Sequence, residues 1–147
     1  MPTTKSSQST SNADNRLNDL RILIVDDADS CYLLRVTLQL SAAESQAVLS
    51  AHEAFNLFVH WQPDLLSVST ALPQEDGCSL IRRVRAFEVN RGDTVPAIAV
   101  MTDNREEARL HVLSTGFCRA LLKPLDLDEL VSTIVAVVNE NRLSNWN

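Results

Sequence analysis

Four short stretches of this 147-residue chain carry side chains able to do chemistry at a shared place: Asp26-Asp27, Ser69, Met101-Thr102 and Lys123. Adjacent carboxylates can hold a hard cation or balance a lysine, whereas a serine hydroxyl becomes a useful nucleophile only when a base activates it. His52 and His60 fall in one helical stretch and His111 in another, with no metal-ligand spacing and none next to Ser69. A serine and a lysine together raise a nucleophilic enzyme or a binder of small anions as one function class. No oxyanion motif or ordered base accompanies them, so that class ranks last.

Each of these stretches ends an apolar run, and the runs define the elements that must position them. Ile22-Leu23-Ile24-Val25 reads as a strand buried on both faces, stopped by Asp26-Asp27. Leu65 to Ser69, Val95 to Met101 and Arg119 to Leu122 read as further strands, with a weaker one over Glu44 to Leu49. Between them, helical spacing predicts helices from Asp29 to Leu40, from the Ser50 and Glu53 capping pair to before Pro63, and from Leu80 to near Gly92. Two more are predicted over Asn104 to Ser114 and from Asp126 to about Asn141. Five strands alternating with helices through short links predict an α/β, doubly wound parallel sheet with helices on both faces. In such a sheet the functional crevice lies at the carboxyl ends of the strands, where the four stretches fall.

Composition narrows the function further. The length suits one domain, and 45% hydrophobic residues suffice for a core without disulfides or metal. With a net charge of −6, sequence-independent binding to nucleic acid is disfavoured. Cys31, Cys78 and Cys118 are odd in number and match no zinc or disulfide spacing, so they read as reduced thiols. Neither a targeting segment nor a membrane-length apolar run is visible, and the expected location is the cytoplasm. Ten of the first fifteen residues are Ser, Thr, Asn or Gln. Residues 1–19 are expected to form a disordered tail, 20–141 the domain and 142–147 a short C-terminal tail.

From about Arg21 to Asn139 the sequence resembles the receiver domain of two-component response regulators. The motifs that carry the resemblance are Ile-Val-Asp26-Asp27, Pro63-Asp64-Leu-Leu, Leu72-Pro73 with Gly77, Pro96-Ala-Ile-Ala-Val, and Lys123-Pro124, in that order. The resemblance implies a flavodoxin-like, CheY-like (βα)5 fold. It also implies an aspartate that takes a phosphoryl group from a phosphohistidine with Mg2+ on the acid pair, and a hydroxyl and a lysine that contact that group.

The family's motif positions map unevenly onto this chain. Four residues before Pro73, the phosphoacceptor position holds Ser69; the switch hydroxyl position counted from Pro96 holds Met101; the aromatic switch position, three before Lys123, holds Ala120. Thr102 is expected to point to the opposite face from Met101. Asp26, Asp27 and Lys123 remain as a vestigial acidic pocket and its lysine. With one carboxylate missing, no cofactor is expected, and at most a weak Mg2+ site at Asp26 and Asp27.

The expectation that follows is a degenerate pseudo-receiver, not an enzyme, that signals by phosphorylation-independent protein binding. The alternative is a phosphorelay receiver modified at a non-standard residue. Its partners would be a histidine kinase, another response regulator or a second copy of itself, with no nucleic acid and no membrane. The expected interaction face combines Arg105, Glu106 and Arg109 with Leu130, Ile134 and Val137 of the last helix, whose apolar residues exceed a single core-facing stripe. Arg82, Arg83 and Arg85 are expected on a solvated helix face.

Overall fold

The computed structural model describes residues 16–144, so residues 1–15 of the expected tail and residues 145–147 lie outside the described part. Strands β1 (Arg21–Val25), β2 (Glu44–Val48), β3 (Leu65–Ser69), β4 (Ala97–Met101) and β5 (Arg119–Leu122) alternate with helices. The helices are α1 (Ala28–Leu40), α2 (Ala51–Trp61), α3 (Gly77–Glu88), α4 (Glu106–Thr115) and α5 (Leu127–Ser144). All strand pairs are parallel, in the order β2-β1-β3-β4-β5. The order reverses at β1, next to β3, so Asp26 and Ser69 emerge side by side at the switch point.

The continuous apolar runs become strands because both sheet faces are covered. Ile22 and Ile24 of β1 pack toward α1 and α5 with Leu34, Leu38, Leu130 and Ile134. Leu23 and Val25 pack the other way, toward α2, α3 and α4 with Phe58, Ile81 and Val112. Helix starts are fixed locally: Asp27, Ser50 and Asp76 each accept a hydrogen bond from the N–H three residues on. The αL residue Gln62 closes α2 ahead of Pro63.

Four expectations need correction. Leu17 is fully buried in the α1 and α5 side of the core, and Arg16 donates to Ser132 Oγ at 3.2 Å, so residues 16–19 are part of the domain. An isolated leucine in a polar stretch gives no periodicity to detect. At the other end α5 continues to Ser144, so 142–144 are helix rather than tail.

Leu130, Ile134 and Val137 are core residues and form no part of an interaction face. The turn carrying Leu17 and Leu20 caps α5 from a second side, which widens the stripe that the helix can bury beyond what the sheet alone would cover. Finally, Arg85 is not solvated. Its guanidinium donates to Glu88 Oε1 at 2.7 Å, to the Val95 carbonyl at 2.7 Å and twice to the Gly116 carbonyl, at 3.1 and 2.8 Å. The buried Glu88 in turn accepts from Val95 N at 2.8 Å, so one ion pair ties the end of α4 to the approach to β4.

A planar fork is what this cluster requires, and lysine has none. Arg85→Lys is expected to keep the charge balance of Glu88 but lose the bonds to Gly116. The cost is about 1 to 2 kcal/mol, readable as a lower urea midpoint with unchanged slope.

Candidate functional site

Asp26 ends β1 and is only 2% exposed. Its Oδ1 accepts from Lys123 Nζ at 2.8 Å and from Asp27 N at 2.7 Å, while its Oδ2 is buried without a hydrogen-bond partner among the described residues. Asp27 is the N-cap of α1: Oδ1 accepts from Ser30 N at 2.8 Å and Oδ2 from Ser30 Oγ at 3.1 Å. Lys123, carried at the end of β5, completes the cluster with contacts to Asp27 Oδ2 at 3.2 Å and Ser30 Oγ at 3.1 Å. Its three N–H bonds are therefore all engaged by protein groups. Ser30 is the member that sequence reasoning missed. The signal was present, since Asp27 followed three residues later by a serine is a capping arrangement whose hydroxyl lies on the crevice side.

The electrostatics follow from these contacts. The Ser30 N–H bond, more than the opposing effect of burial, with help from Lys123, lowers the Asp27 pKa from 3.8 to about 2. Burial works against the Lys123 ammonium, but its bonds to Asp26 and Asp27 outweigh it and raise the pKa above the ordinary 10.5. A carboxyl whose folded pKa is depressed stabilises the fold above its unfolded pKa and loses that contribution as pH falls through the folded one. Stability is thus expected to decline between about pH 4 and pH 2. Asp27→Asn should flatten that part of the profile of urea midpoint against pH. The exposure of Asp27 keeps the amplitude modest.

Ser69 ends β3 and is buried, and its Oγ accepts from Ala71 N at 3.2 Å. The hydroxyl thereby helps turn the chain out of the strand. Across the turn Gly77 packs so close that a Cβ there would stand 2.4 Å from the Ser69 carbonyl oxygen, so only glycine lets α3 start against the end of β3.

The Mg2+ implied by the sequence resemblance is poorly served by these residues. Among the described residues no group of three His, Cys, Asp or Glu side chains converges. The cation opposite the acid pair is Lys123, which takes one oxygen of each carboxylate, and the free Asp26 Oδ2 is a single ligand where octahedral coordination needs several.

Met101 is buried at the end of β4, whereas Thr102 lies beyond the strand and is exposed. Met101 and Ala120 share the lining of a cavity of about 230 Å3 with Asp103, Arg109, Leu122 and Glu129. Arg105 binds Asp103 at 2.7 Å, and Arg109 lies 3.7 Å from Glu106, all exposed on or just before α4. The structure therefore gathers Asp26, Asp27, Ser30 and Lys123 into one contact cluster and places Met101 and Ala120 together. Arg109 reaches the lining of that cavity, whereas Arg105 and Glu106 stay apart from both groups on the exposed start of α4.

The family described as "Response regulator receiver domain" matches residues 22–135. The chain belongs to the response regulator receiver family. This receiver is 40% identical over 119 residues to an "uncharacterized 14.6 kDa protein" encoded 3′ of sodA1 in Leptolyngbya boryana, covering 80% of this chain and 89% of that one. It is 32% identical over 123 residues to the virulence transcriptional regulatory protein PhoP of Salmonella typhimurium, covering 83% of this chain but 53% of the relative. The receiver thus spans about half the length of that regulator.

Solved structures agree on the fold. A two-component response regulator from Clostridium difficile superposes with a TM-score of 0.76 at 25% identity, covering 82% of this chain and 97% of that one. A CheY-like receiver domain protein from Methanospirillum hungatei gives 0.74 at 22% identity, covering 85% and 98%. The (βα)5, flavodoxin-like arrangement of the receiver is thereby established.

Proposed function

We propose that this receiver is a pseudo-receiver, a non-enzymatic cytoplasmic module that binds a signalling protein without aspartyl phosphorylation. The observation that carries the reading is Ser69 at the end of β3, buried, with its hydroxyl committed to the turn at Ala71. A hydroxyl without a base attacks phosphorus poorly, and no histidine lies beside it. Support comes from the ammonium of Lys123, held on Asp26 and Asp27 where a conventional receiver has metal and phosphoryl group to engage. Met101 and Ala120 provide neither a hydroxyl to follow a phosphoryl oxygen nor a ring to reorient. The partner on this reading is a histidine kinase or another response regulator, bound in the unmodified state.

The test is the intact mass of the protein after incubation with Mg2+ and acetyl phosphate, beside a conventional receiver. No adduct here with full modification of the control supports the reading; a phosphoryl adduct overturns it. One observation favours the second reading, phosphorylation at a non-standard residue: Asp26 Oδ2 is a carboxylate oxygen with no hydrogen-bond partner. Peptide mapping of an adduct to Asp26 would establish that alternative.

A further inference from the structure

Helix α1 has two apolar faces. At about 100° per residue, Cys31, Leu34 and Leu38 form the stripe that packs on the sheet. Tyr32, Leu33, Val36 and Leu40 form a second stripe, centred about 180° from the first by the same helical repeat. All four are exposed, Tyr32 by 75% and Leu40 by 68%. Leu49, just past β2, is exposed beside them, so five of the nine exposed large apolar residues among the described residues gather on this one side. Between helix and strand runs a groove of about 410 Å3, lined by Tyr32, Val36, Gln39, Ala47 and Leu49. The strand bordering it, β2, is among the described residues an uncovered edge of the sheet, with no charged residue after Glu44. The opposite edge, β5, is by contrast guarded by Arg119 bonded to Glu140 at 2.7 Å.

The charges on this face identify what covers it. Asp29 lies at the amino end of the outer stripe and Arg35 borders it, six residues on, too far apart on one helix to meet. Neither enters an ion pair among the described residues. Antiparallel packing of two α1 helices about a two-fold axis at Tyr32 sets residue 29 of each against residue 35 of the other. Each charge then gains one partner, and the pair occurs twice in one self-complementary surface. The same axis brings the two Tyr32 rings together and buries Val36, which lies about 40° from Tyr32 on the helix.

We propose that this face is a homodimer interface, formed by α1 packed antiparallel on α1 of a second copy, with reciprocal Asp29–Arg35 pairs. The proposal stands apart from the chemistry at Ser69, since none of its residues belongs to that cluster.

Light scattering during size-exclusion chromatography of the full chain is the test. Across the micromolar range the expected mass is twice 16.3 kDa. Val36→Glu, at an exposed position that the monomer fold does not need, should raise the dissociation constant about a hundredfold or more, the cost of an unpaired carboxylate at an apolar contact. Arg35→Asp alone sets like charges opposite one another and should weaken the dimer about tenfold. The double exchange Asp29→Arg with Arg35→Asp should restore it. A monomer at every concentration overturns the proposal, as does a dimer that Val36→Glu leaves intact. Failure of the double exchange to restore what the single one weakened overturns the antiparallel pairing. Circular dichroism of each variant guards against unfolding as the cause.

Discussion

Lys123→Met is expected to cost the fold at least about 3 kcal/mol near neutral pH. The substitution is close in size and flexibility, so packing loss is small and the effect is electrostatic. Asp26 keeps its place at the end of β1, 2% exposed, but its Oδ1 loses the ammonium 2.8 Å away and its Oδ2 has no partner to begin with. A buried carboxylate without a cation raises its folded pKa instead of staying charged. A carboxyl with a raised folded pKa destabilises the native state above that pKa and ceases to do so as acid protonates it. Urea unfolding of wild type and variant should therefore differ most near neutrality and converge as pH falls toward the acid range. A difference independent of pH would show that Lys123 stabilises through packing and not through the acid pair.

The parts of this molecule legible in the sequence are those where one physical constraint acts alone. Leu65–Ser69 forms a strand with the bounds that its apolar run after Pro63 indicates, because a strand buried on both faces leaves little freedom at either end. Ser50 caps α2 because its side chain needs only the N–H of Glu53, three residues away. The meeting of Asp26, Asp27 and Lys123 follows from topology, since β1 and β5 deliver their carboxyl ends to one edge of one sheet.

What stayed hidden depends on a second element. Arg85 looks like any arginine on a helix until the Gly116 carbonyl and the Val95 loop arrive beside it. Leu130, Ile134 and Val137 look like surplus apolar surface on α5 because the core cluster they join also takes in Leu17, which stands alone in a polar stretch. The second apolar stripe of α1 is hidden for another reason. Leu33, Val36 and Leu40 stand beside Cys31, Leu34 and Leu38 in the sequence, though the two sets lie on opposite sides of the helix. A periodicity that merely detects a helix says nothing of how many of its faces are apolar.

Ser69→Asp is expected to destabilise the protein by about 3 kcal/mol in the absence of divalent metal. The new carboxylate would sit at a buried position beside Asp26 and Asp27, with Lys123 as the cation of the cluster and that cation already shared. The aspartate would also give up the bond that Ser69 Oγ accepts from Ala71 N, or keep it only by holding charge there. Three carboxylates converging on one point are the oxygen-rich arrangement that a hard divalent cation stabilises. Millimolar Mg2+ should thus raise the thermal midpoint of Ser69→Asp and leave the wild type unmoved, since a ligand stabilises only the state that binds it. Equal Mg2+ responses in the two proteins would mean that Asp26 and Asp27 already form a working site, and would remove one support of the pseudo-receiver reading. Restored metal binding would still fall short of restored signalling. With Met101 and Ala120 in place, a phosphoryl group on the new aspartate would find no hydroxyl and no ring to move. The acetyl phosphate adduct of Ser69→Asp is accordingly expected to leave partner affinity unchanged until Met101→Thr and Ala120→Tyr are added.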